Sequence, residues 1–545
     1  MDWQLTLRSG LPAGDRALAL AEVRHVAEGV VAQADGSLSA RGLRVPLAQA
    51  VDRLAFVQSL AGPRPAELAP AGWWVRDGDR ITAVPRLALG ELLTLSASSP
   101  SGDGARAWVQ ALADDDPTPV QRKALARKQT STPHLHGLHT YKAKFFPRMV
   151  RARLHVALDS VPAGPDGQRT VLDPFSGSGT TAFEASDLGA PAVGVDLDPL
   201  SVAIARAKRA LLRIDADVLA DAARVAVAKP CSDPGPYALP PWMAKKWDRK
   251  GLSDERLAVE QDIATWRDTL LAASDPGLRS VMAACLSDAL VRKFNVRMMG
   301  TGVGRFALEV RQRSLGSLVS SALERAVKAR RVLAALEGVW SQARAPIQLL
   351  RGDATALDVP DASVSVVLTS PPYLPASSGR EAYLIGKSIS LTALGLLTAE
   401  EIAGAETGSV GSMKAAAGQE TEALPDAVHQ LVAWLQADEL RRIKAAPTLR
   451  YHRDLLRALR ETRRVLVPGG QALYVIGKGS TFYRFKTREV LYQVHCDAIF
   501  RELATLAGLE VVDQTDVRLE KQNRNARPRS LDDYYESVIT LGRAL

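Results

Sequence analysis

The chain has 545 residues, 46% of them hydrophobic and 24% charged, which is too long for one ordinary core and predicts two or three domains. Its formal net charge of +9 favours a polyanionic partner, and no apolar run reaches the roughly 18 residues of a membrane span. Three widely spaced cysteines, Cys231, Cys285 and Cys496, make neither a disulfide framework nor a metal cluster, and "MDWQLTLRSG" lacks a signal-peptide pattern, so a cytoplasmic, reduced, metal-free protein is expected.

From the N-terminus, residues 1–115 predict a self-contained α/β domain of mildly acidic balance and unassigned role. "ALALAEVRHVAEGVV" has helical spacing, and "GWWVRDGDRITAV" reads as a hairpin around Asp-Gly. Residues 116–138 are expected to be a linker. The character then changes. "TVLDPF" is a short apolar strand, "SGSGTT" a glycine loop, and "TAFEASDLG" a helix stopped by Gly189. "PAVGVDLDP" is a second strand and "LSVAIARAKRALLR" a second helix, the alternation of a parallel α/β sheet.

Residues 211–345 interrupt the alternation with long helical patterns and two basic-aromatic patches, "PPWMAKKWDRK" and "RKFNVRMMGTGVGRF". The sheet resumes at "IQLLRGDA" and "SVSVVLTSPPY", and a second interruption, 374–450, is rich in Ala, Gly and Ser. Beyond it the pattern predicts a helix with a glycine stop in "RDLLRALRETRRVLVPGG" and a strand in "QALYVIGKG". A helix is expected in "REVLYQVHCDAIFRELATLAG", then closing strands in "LEVVDQTDVRLEK" and "YYESVITLGR".

Gly177 and Gly179 stand between a strand and a helix N-terminus, where a ligand can approach the backbone and find free N–H donors. Asp196 closes the next strand about 20 residues on, the spacing that lets a carboxylate hold ribose hydroxyls. Asp173 precedes the glycines, and Thr180 and Thr181 replace the third glycine of a dinucleotide loop. A carboxylate there repels a pyrophosphate but suits ammonium and sulfonium charges, which points to S-adenosyl-L-methionine.

At this point "DPFSGSGTT" resembles the first motif of the amino-methylating DNA methyltransferases, which act on cytosine N4 or adenine N6, and "TSPPY" resembles their catalytic motif. The resemblance covers roughly 139–210 and 346–545. It implies a Rossmann-like class I methyltransferase sheet, mostly parallel with a closing antiparallel hairpin. The cofactor-binding half would be 139–210 and the catalytic half 346–545. Residues 1–115 would be an added N-terminal α/β domain and 211–345 a helical insertion, a candidate for target recognition alongside 374–450 and "KQNRNARPRS". The implied cofactor contacts are Asp173, Phe175, Ser176, Gly177, Gly179, Thr180 and Thr181, then Asp196 and Leu197, then Asp353 and Ala354. "HTYKAKFFPRMV" is similar to the segment packed over the methionine end, so Tyr141, Lys144, Phe146 and Pro147 join them. Ser370, Pro371, Pro372 and Tyr373 are the implied catalytic set.

The chemistry gives that set a reason. An exocyclic base amine is a poor nucleophile because its lone pair is delocalised into the ring. Two fixed acceptors for its N–H hydrogens improve it, and a near-attack position does the rest. The resemblance assigns one acceptor to the Pro371 carbonyl and the other to the Ser370 hydroxyl, with Tyr373 stacking on a flipped-out base. Members that methylate adenine mostly carry Asp or Asn where Ser370 stands. Cytosine presents an acceptor, N3, beside its amine, and a hydroxyl can donate as well as accept. Cytosine N4 in double-stranded DNA is therefore the favoured target, with a restriction endonuclease as a partner to look for. Adenine N6 and, because of the N-terminal domain, tRNA guanine N2 are the alternatives. A non-catalytic nucleic-acid-binding protein on the same scaffold is the alternative from another class. Cys231, in "AKPCSDP", lacks the context of a cytosine-C5 nucleophile.

Overall fold

The computed structural model describes every residue except 1, 66–71, 96–99, 126–133, 142–143, 299–305, 341–342, 375–383, 413–421, 485–486, 488, 520–533 and 545. The basic stretch 521–530 lies outside the described residues.

Seven strands form the central sheet: β1 (Val171–Asp173), β2 (Ala192–Asp196), β3 (Ile347–Arg351), β4 (Val364–Thr369), β5 (Leu466–Gly477), β6 (Glu510–Leu519) and β7 (Tyr534–Gly542). They lie in the order β3-β2-β1-β4-β5-β7-β6, and only β7 runs against the rest. This is the Rossmann-like class I methyltransferase sheet with its antiparallel closing hairpin. Asp173 pairs with Gly194, and Leu172 with Val367, so the carboxyl ends of β1, β2 and β4 sit nearly level. Strand order reverses between β1 and β4, the place where open α/β sheets take ligands.

The helices that matter for the site are α1 (Pro147–Ser160), α2 (Thr180–Asp187), α3 (Pro199–Leu211), α4 (Pro276–Lys293), α5 (Leu315–Val339), α6 (Ala445–Val465) and α7 (Cys496–Leu506). Every residue of β4 is buried, as a strand covered on both faces requires. Val366 and Leu368 pack with Val150 and Leu154 of α1 and Ala182 and Ala185 of α2. Val364 and Val367 pack with Leu455 and Leu459 of α6 and Phe500 of α7. Local chemistry fixes the ends of these elements. The Asp198 side chain caps α3 by accepting from Leu200 N, with Pro199 at the first helical position, and Gly189 takes φ +81 where α2 stops.

Residues 1–115 hold an antiparallel six-stranded sheet built on Trp3–Leu7, with the expected hairpin Trp74–Asp77 and Arg80–Ala83. This domain is not self-contained. Its core takes in Val332, Leu336 and Val339 of α5, and Trp340 stacks on Trp73 with ring centroids 5.6 Å apart. The end of the expected linker is also buried: His134 and His136 form a short 3-10 turn inside the protein. The helical insertion carries a hairpin, Phe294–Met298 with Phe306–Val310, where the second basic-aromatic patch stands.

Two expected elements differ. Val490–Val494 is a strand paired with Ser480–Tyr483, and the helix starts only at Cys496. The β-branched and aromatic residues of "VLYQV" favour the pleated conformation over helix. Gly469 and Gly470 do not stop a helix; α6 ends at Val465, and the glycines sit in β5 where its register with β4 shifts.

Candidate active site

The loop between β1 and α2 wraps back on β2. Gly179 N donates to Ser176 O (2.7 Å), and Ser176 N donates to Val195 O (2.9 Å). Gly177 and Gly179 hold φ +51 and +80, the left-handed region that excludes most side chains. A Cβ on Gly177 would lie 3.2 Å from the Tyr141 ring, so Tyr141 closes directly over the loop. Asp196 holds this loop in turn: one carboxylate oxygen accepts from Gly177 N (2.7 Å) and the other from Asp198 N (2.9 Å). Beneath it the buried Lys208 ammonium donates to the Ser178 carbonyl (2.7 Å). Burial pushes Lys208 well below the usual lysine range.

Several residues of the sequence-derived set are engaged away from this loop. Asp173 is buried, and its carboxylate accepts from Thr369 Oγ1 (2.6 Å) and Phe175 N (3.1 Å), tying β1 to β4. Lys144 donates to the carbonyls of His136 and His139. Phe146 and Pro147 open α1, and the Phe146 ring packs against Phe56 of the N-terminal domain. Thr180 and Thr181 form the buried first turn of α2, and Leu197 faces Gly408 of the second insertion. Asp353 folds into its own turn, accepting from Thr355 N (2.8 Å) and Thr355 Oγ1 (2.9 Å), with Ala354 buried beside it.

β4 ends at Thr369, and Ser370-Pro371-Pro372-Tyr373 leaves the sheet next to the glycine loop. The Pro372 carbonyl accepts from the Tyr451 hydroxyl of α6 (3.0 Å). The Pro371 carbonyl accepts from no described residue. Ser370 is half-buried, whereas Tyr373 is 44% exposed. The Tyr373 ring lies against Gly477 at the end of β5, and its hydroxyl donates to Glu536 of β7 (2.9 Å). The hydroxyl end, unlike the exposed part of the residue, is enclosed, and that enclosure together with the Glu536 carboxylate raises it above the usual phenol range; burial also raises Glu536.

The structure adds groups that no motif announced. Lys387, from the turn after the catalytic motif, donates to Asp198 Oδ2 (2.5 Å) and to the Tyr141 hydroxyl (3.1 Å), its ammonium 4.6 Å from the Tyr141 ring centroid. Tyr141 also shares a hydrogen bond with Ser201 (2.7 Å), which donates to Asp198 (2.9 Å). The buried Glu406 carboxylate fixes the Lys387 turn by accepting from Leu384 N (2.7 Å). Tyr451, Lys387, Glu406 and Glu536 share no local pattern with the motifs they serve. The one signal was an acid in the otherwise apolar "SVITLG" strand neighbourhood, Glu536.

Burial, with Asp198 alongside, pushes Asp196 up to about 6, and burial alone does the same to Asp173. Carboxylates thus outnumber cations at the ends of β1 and β2, with Lys387 the cation that faces Asp198. A cationic ligand relieves that imbalance. Two left-handed glycines, an aromatic ring over them and an acid at the second strand end fit S-adenosyl-L-methionine, the cofactor of this fold. Among the described residues, no cluster of His, Cys, Asp and Glu is placed to hold a metal, and no helix is long and apolar enough to cross a membrane.

No protein-family model matches the chain. Over 86 residues, 15% of its length, the chain is 34% identical to the type II methyltransferase M.MjaII of Methanocaldococcus jannaschii, spanning 14% of that relative. The solved structure of TrmN from Thermus thermophilus aligns over 100% of both chains at 13% identity and a TM-score of 0.33. An S-adenosylmethionine-dependent methyltransferase of Methanosarcina mazei aligns over 72% of this chain and 97% of its own at 11% identity, TM-score 0.25. A second Thermus thermophilus protein, described as a candidate DNA modification methylase and complexed with S-adenosyl-L-methionine, aligns over 36% of this chain and 54% of its own, at 18% identity and a TM-score of 0.19. With these TM-scores below 0.5, the fold class rests on the strand order and register themselves.

Proposed function

We propose that the chain is a DNA methyltransferase that transfers the methyl group of S-adenosyl-L-methionine to the exocyclic N4 of a flipped-out cytosine. The observation that carries this reading is the placement of Ser370-Pro371-Pro372-Tyr373 beside the glycine loop, with the Pro371 carbonyl accepting from no described residue. When bound, S-adenosyl-L-methionine supplies an electrophilic methyl on its sulfonium.

The protein's part is to place the amine. Two prolines stiffen the backbone, and Tyr451 fixes the next carbonyl, so the Pro371 oxygen keeps one direction. That oxygen and the Ser370 hydroxyl accept the two amine hydrogens, and the Ser370 hydroxyl is also able to donate to cytosine N3. Tyr373 leaves Glu536 and stacks on the base. The amine gains a bond to carbon and then loses one proton, so no covalent protein intermediate is required. Asp353 serves the adenine end of the cofactor and Asp196 the ribose, while Tyr141 is the residue of its segment that covers the loop. The 34% identity over 86 residues to a type II methyltransferase supports methyl transfer, the SPPY motif favours a base amine in DNA, and Ser370 favours cytosine.

The test is product identity. Purified protein and labelled S-adenosyl-L-methionine are incubated separately with unmethylated genomic DNA and with bulk tRNA, and the digested nucleosides are identified by mass spectrometry. N4-methylcytosine is expected from DNA and should vanish in Tyr373→Ala, whose cofactor affinity stays near wild type. N6-methyladenine would overturn the argument from Ser370, and label confined to tRNA guanine would overturn the DNA substrate.

A further inference from the structure

The hairpin of the helical insertion grows from the end of α4 and returns to the start of α5, and arginines gather at its base. Arg292 Nε donates to Asp288 Oδ2 (3.0 Å) from one side, and Arg325 pairs with the same oxygen from the other. The second oxygen of Asp288 accepts from Thr140 N (2.5 Å). Arg313 lies over the first turns of α5, donating to Ser317 Oγ (2.9 Å) and Ser321 Oγ (2.5 Å). Arg311 is exposed, and its guanidinium makes no hydrogen bond or ion pair to a described residue. Lys293 donates to the carbonyls of Arg311 (2.7 Å) and Arg313 (3.0 Å), holding both residues at the hairpin base.

Two cations therefore share one fully buried carboxylate, and three more, Arg311, Arg313 and Lys293, stand at the hairpin base. Of the other acids nearby, Glu309 accepts from Asn295 (3.0 Å), Glu324 accepts from Ser320 (3.1 Å), and Asp262 faces Lys293 and not the arginines. The mutual repulsion is felt. Burial lowers Arg292, the Asp288 carboxylate opposes that shift, and Arg325, Arg311 and Arg313 lower it further. A protein that concentrates like charges in this way gains when an anion covers them.

The position decides what the anion is. Arg292 also donates to Thr140 Oγ1 (3.1 Å), the neighbour of the Tyr141 that closes over the glycine loop. The hairpin strand Phe294–Met298 packs against the turn Ile385–Lys387, which follows the catalytic motif. The cluster thus stands at the open, carboxyl-end side of the sheet, where a flipped base has to enter.

Building on the reading of the chain as a DNA methyltransferase, we propose that Arg311 and Arg313, backed by Arg292 and Arg325, form a phosphate clamp that grips the duplex backbone beside the target base. Such contacts position the substrate and carry no sequence information. Each phosphate neutralised releases counterions, so each lost contact reduces the slope of log affinity against log salt by about 0.9.

The experiment measures binding of a fluorescent 20-base-pair duplex of arbitrary sequence across a salt series, with S-adenosyl-L-methionine affinity determined in parallel. Arg311→Ala is expected to lower the slope by about 0.9. Arg311→Ala with Arg313→Ala should lower it by about 1.8, which is roughly 60-fold in affinity at 0.1 M salt if the proteins converge near 1 M. The matching double Lys variant should keep the wild-type slope, and cofactor affinity should stay unchanged throughout. An unchanged slope in both Ala variants overturns the clamp while leaving the methyltransferase reading intact. A shift seen with tRNA and not with duplex overturns the choice of partner. If the Ala variants lose the slope that wild type shows, yet wild type methylates no DNA, the clamp stands and the proposed reaction falls.

Discussion

Asp196 uses both carboxylate oxygens on its own loop, one for Gly177 N–H and one for Asp198 N–H, so it shapes the pocket before any ligand arrives. Burial and the neighbouring Asp198 push its carboxyl up to about 6, with Lys387 opposing them. In the free protein a proton is therefore bound below that value, whereas a cationic ligand prefers the carboxylate. Binding between about pH 4 and 6 must release a proton, and affinity falls as pH drops through 6, by up to tenfold per unit for one proton. Titration calorimetry with S-adenosyl-L-methionine at pH 5 and pH 7, in buffers of different ionisation heat, should show proton uptake by the buffer only at the lower pH. Asp196→Asn should bind more weakly at pH 7 and lose most of the pH dependence. A pH-independent affinity in wild type would remove Asp196 from the cofactor's surroundings.

At the scale of elements, the two motifs were readable because each is a contiguous stretch in which strand, loop and helix follow one another. β1, the glycine loop, α2, β2 and β4 all stand where the pattern put them. What local pattern does not carry is the partner that arrives from far along the chain. Tyr451 lies 79 residues from Pro372, Glu536 lies 163 from Tyr373, and Lys387 lies 189 from Asp198. Val490–Val494 escapes the pattern for the opposite reason: it abuts a true helix, and an apolar run of that length fits either period. The Tyr451 contact yields a sharp test of the stiff backbone. Tyr451→Phe removes one hydrogen bond of about 1 kcal/mol, and if that bond aims the Pro-Pro carbonyls, kcat falls about fivefold with no change in cofactor affinity. An unaltered kcat, with the variant folded by circular dichroism, would mean that the two prolines alone hold the geometry.

For the molecule as a whole, the N-terminal sheet reads as a separate domain by sequence and behaves as part of one body by packing. Its junction with the methyltransferase sheet is ionic and buried. Arg148 of α1 is fully buried, donating to the Ala55 carbonyl (3.0 Å) and pairing with Glu91, which also holds Arg8. Arg151, equally buried, donates to the Asp52 carbonyl (2.9 Å) and to Glu184 of α2 (2.7 Å), the helix that begins at the glycine loop. Glu91 and Asp52 belong to residues 1–115, so removing that segment takes the carboxylate partner from Arg148, leaves Arg151 with Glu184 alone of the pair it bridges, and bares Leu336, Val339 and Trp340 of the α5 end. Removing one partner of an ion pair that stays buried, as Glu91→Gln does with the domain in place, costs about 3–5 kcal/mol against a total stability of roughly 5–15 kcal/mol, and the truncation adds the exposed apolar face. A chain lacking residues 1–115 should therefore be insoluble or unfolded, and the full chain should lose its N-terminal and central sheets in one thermal transition followed by calorimetry and tryptophan fluorescence. Glu91→Gln is the milder probe: it leaves Arg148 and Arg8 without their shared carboxylate and should lower the midpoint of that single transition. Were the two sheets to melt separately, or the shortened chain to bind S-adenosyl-L-methionine with wild-type affinity, the ionic junction would be a seam between independent domains. One transition instead means that the N-terminal sheet, through Arg151 and Glu184, is part of what holds the glycine loop in place.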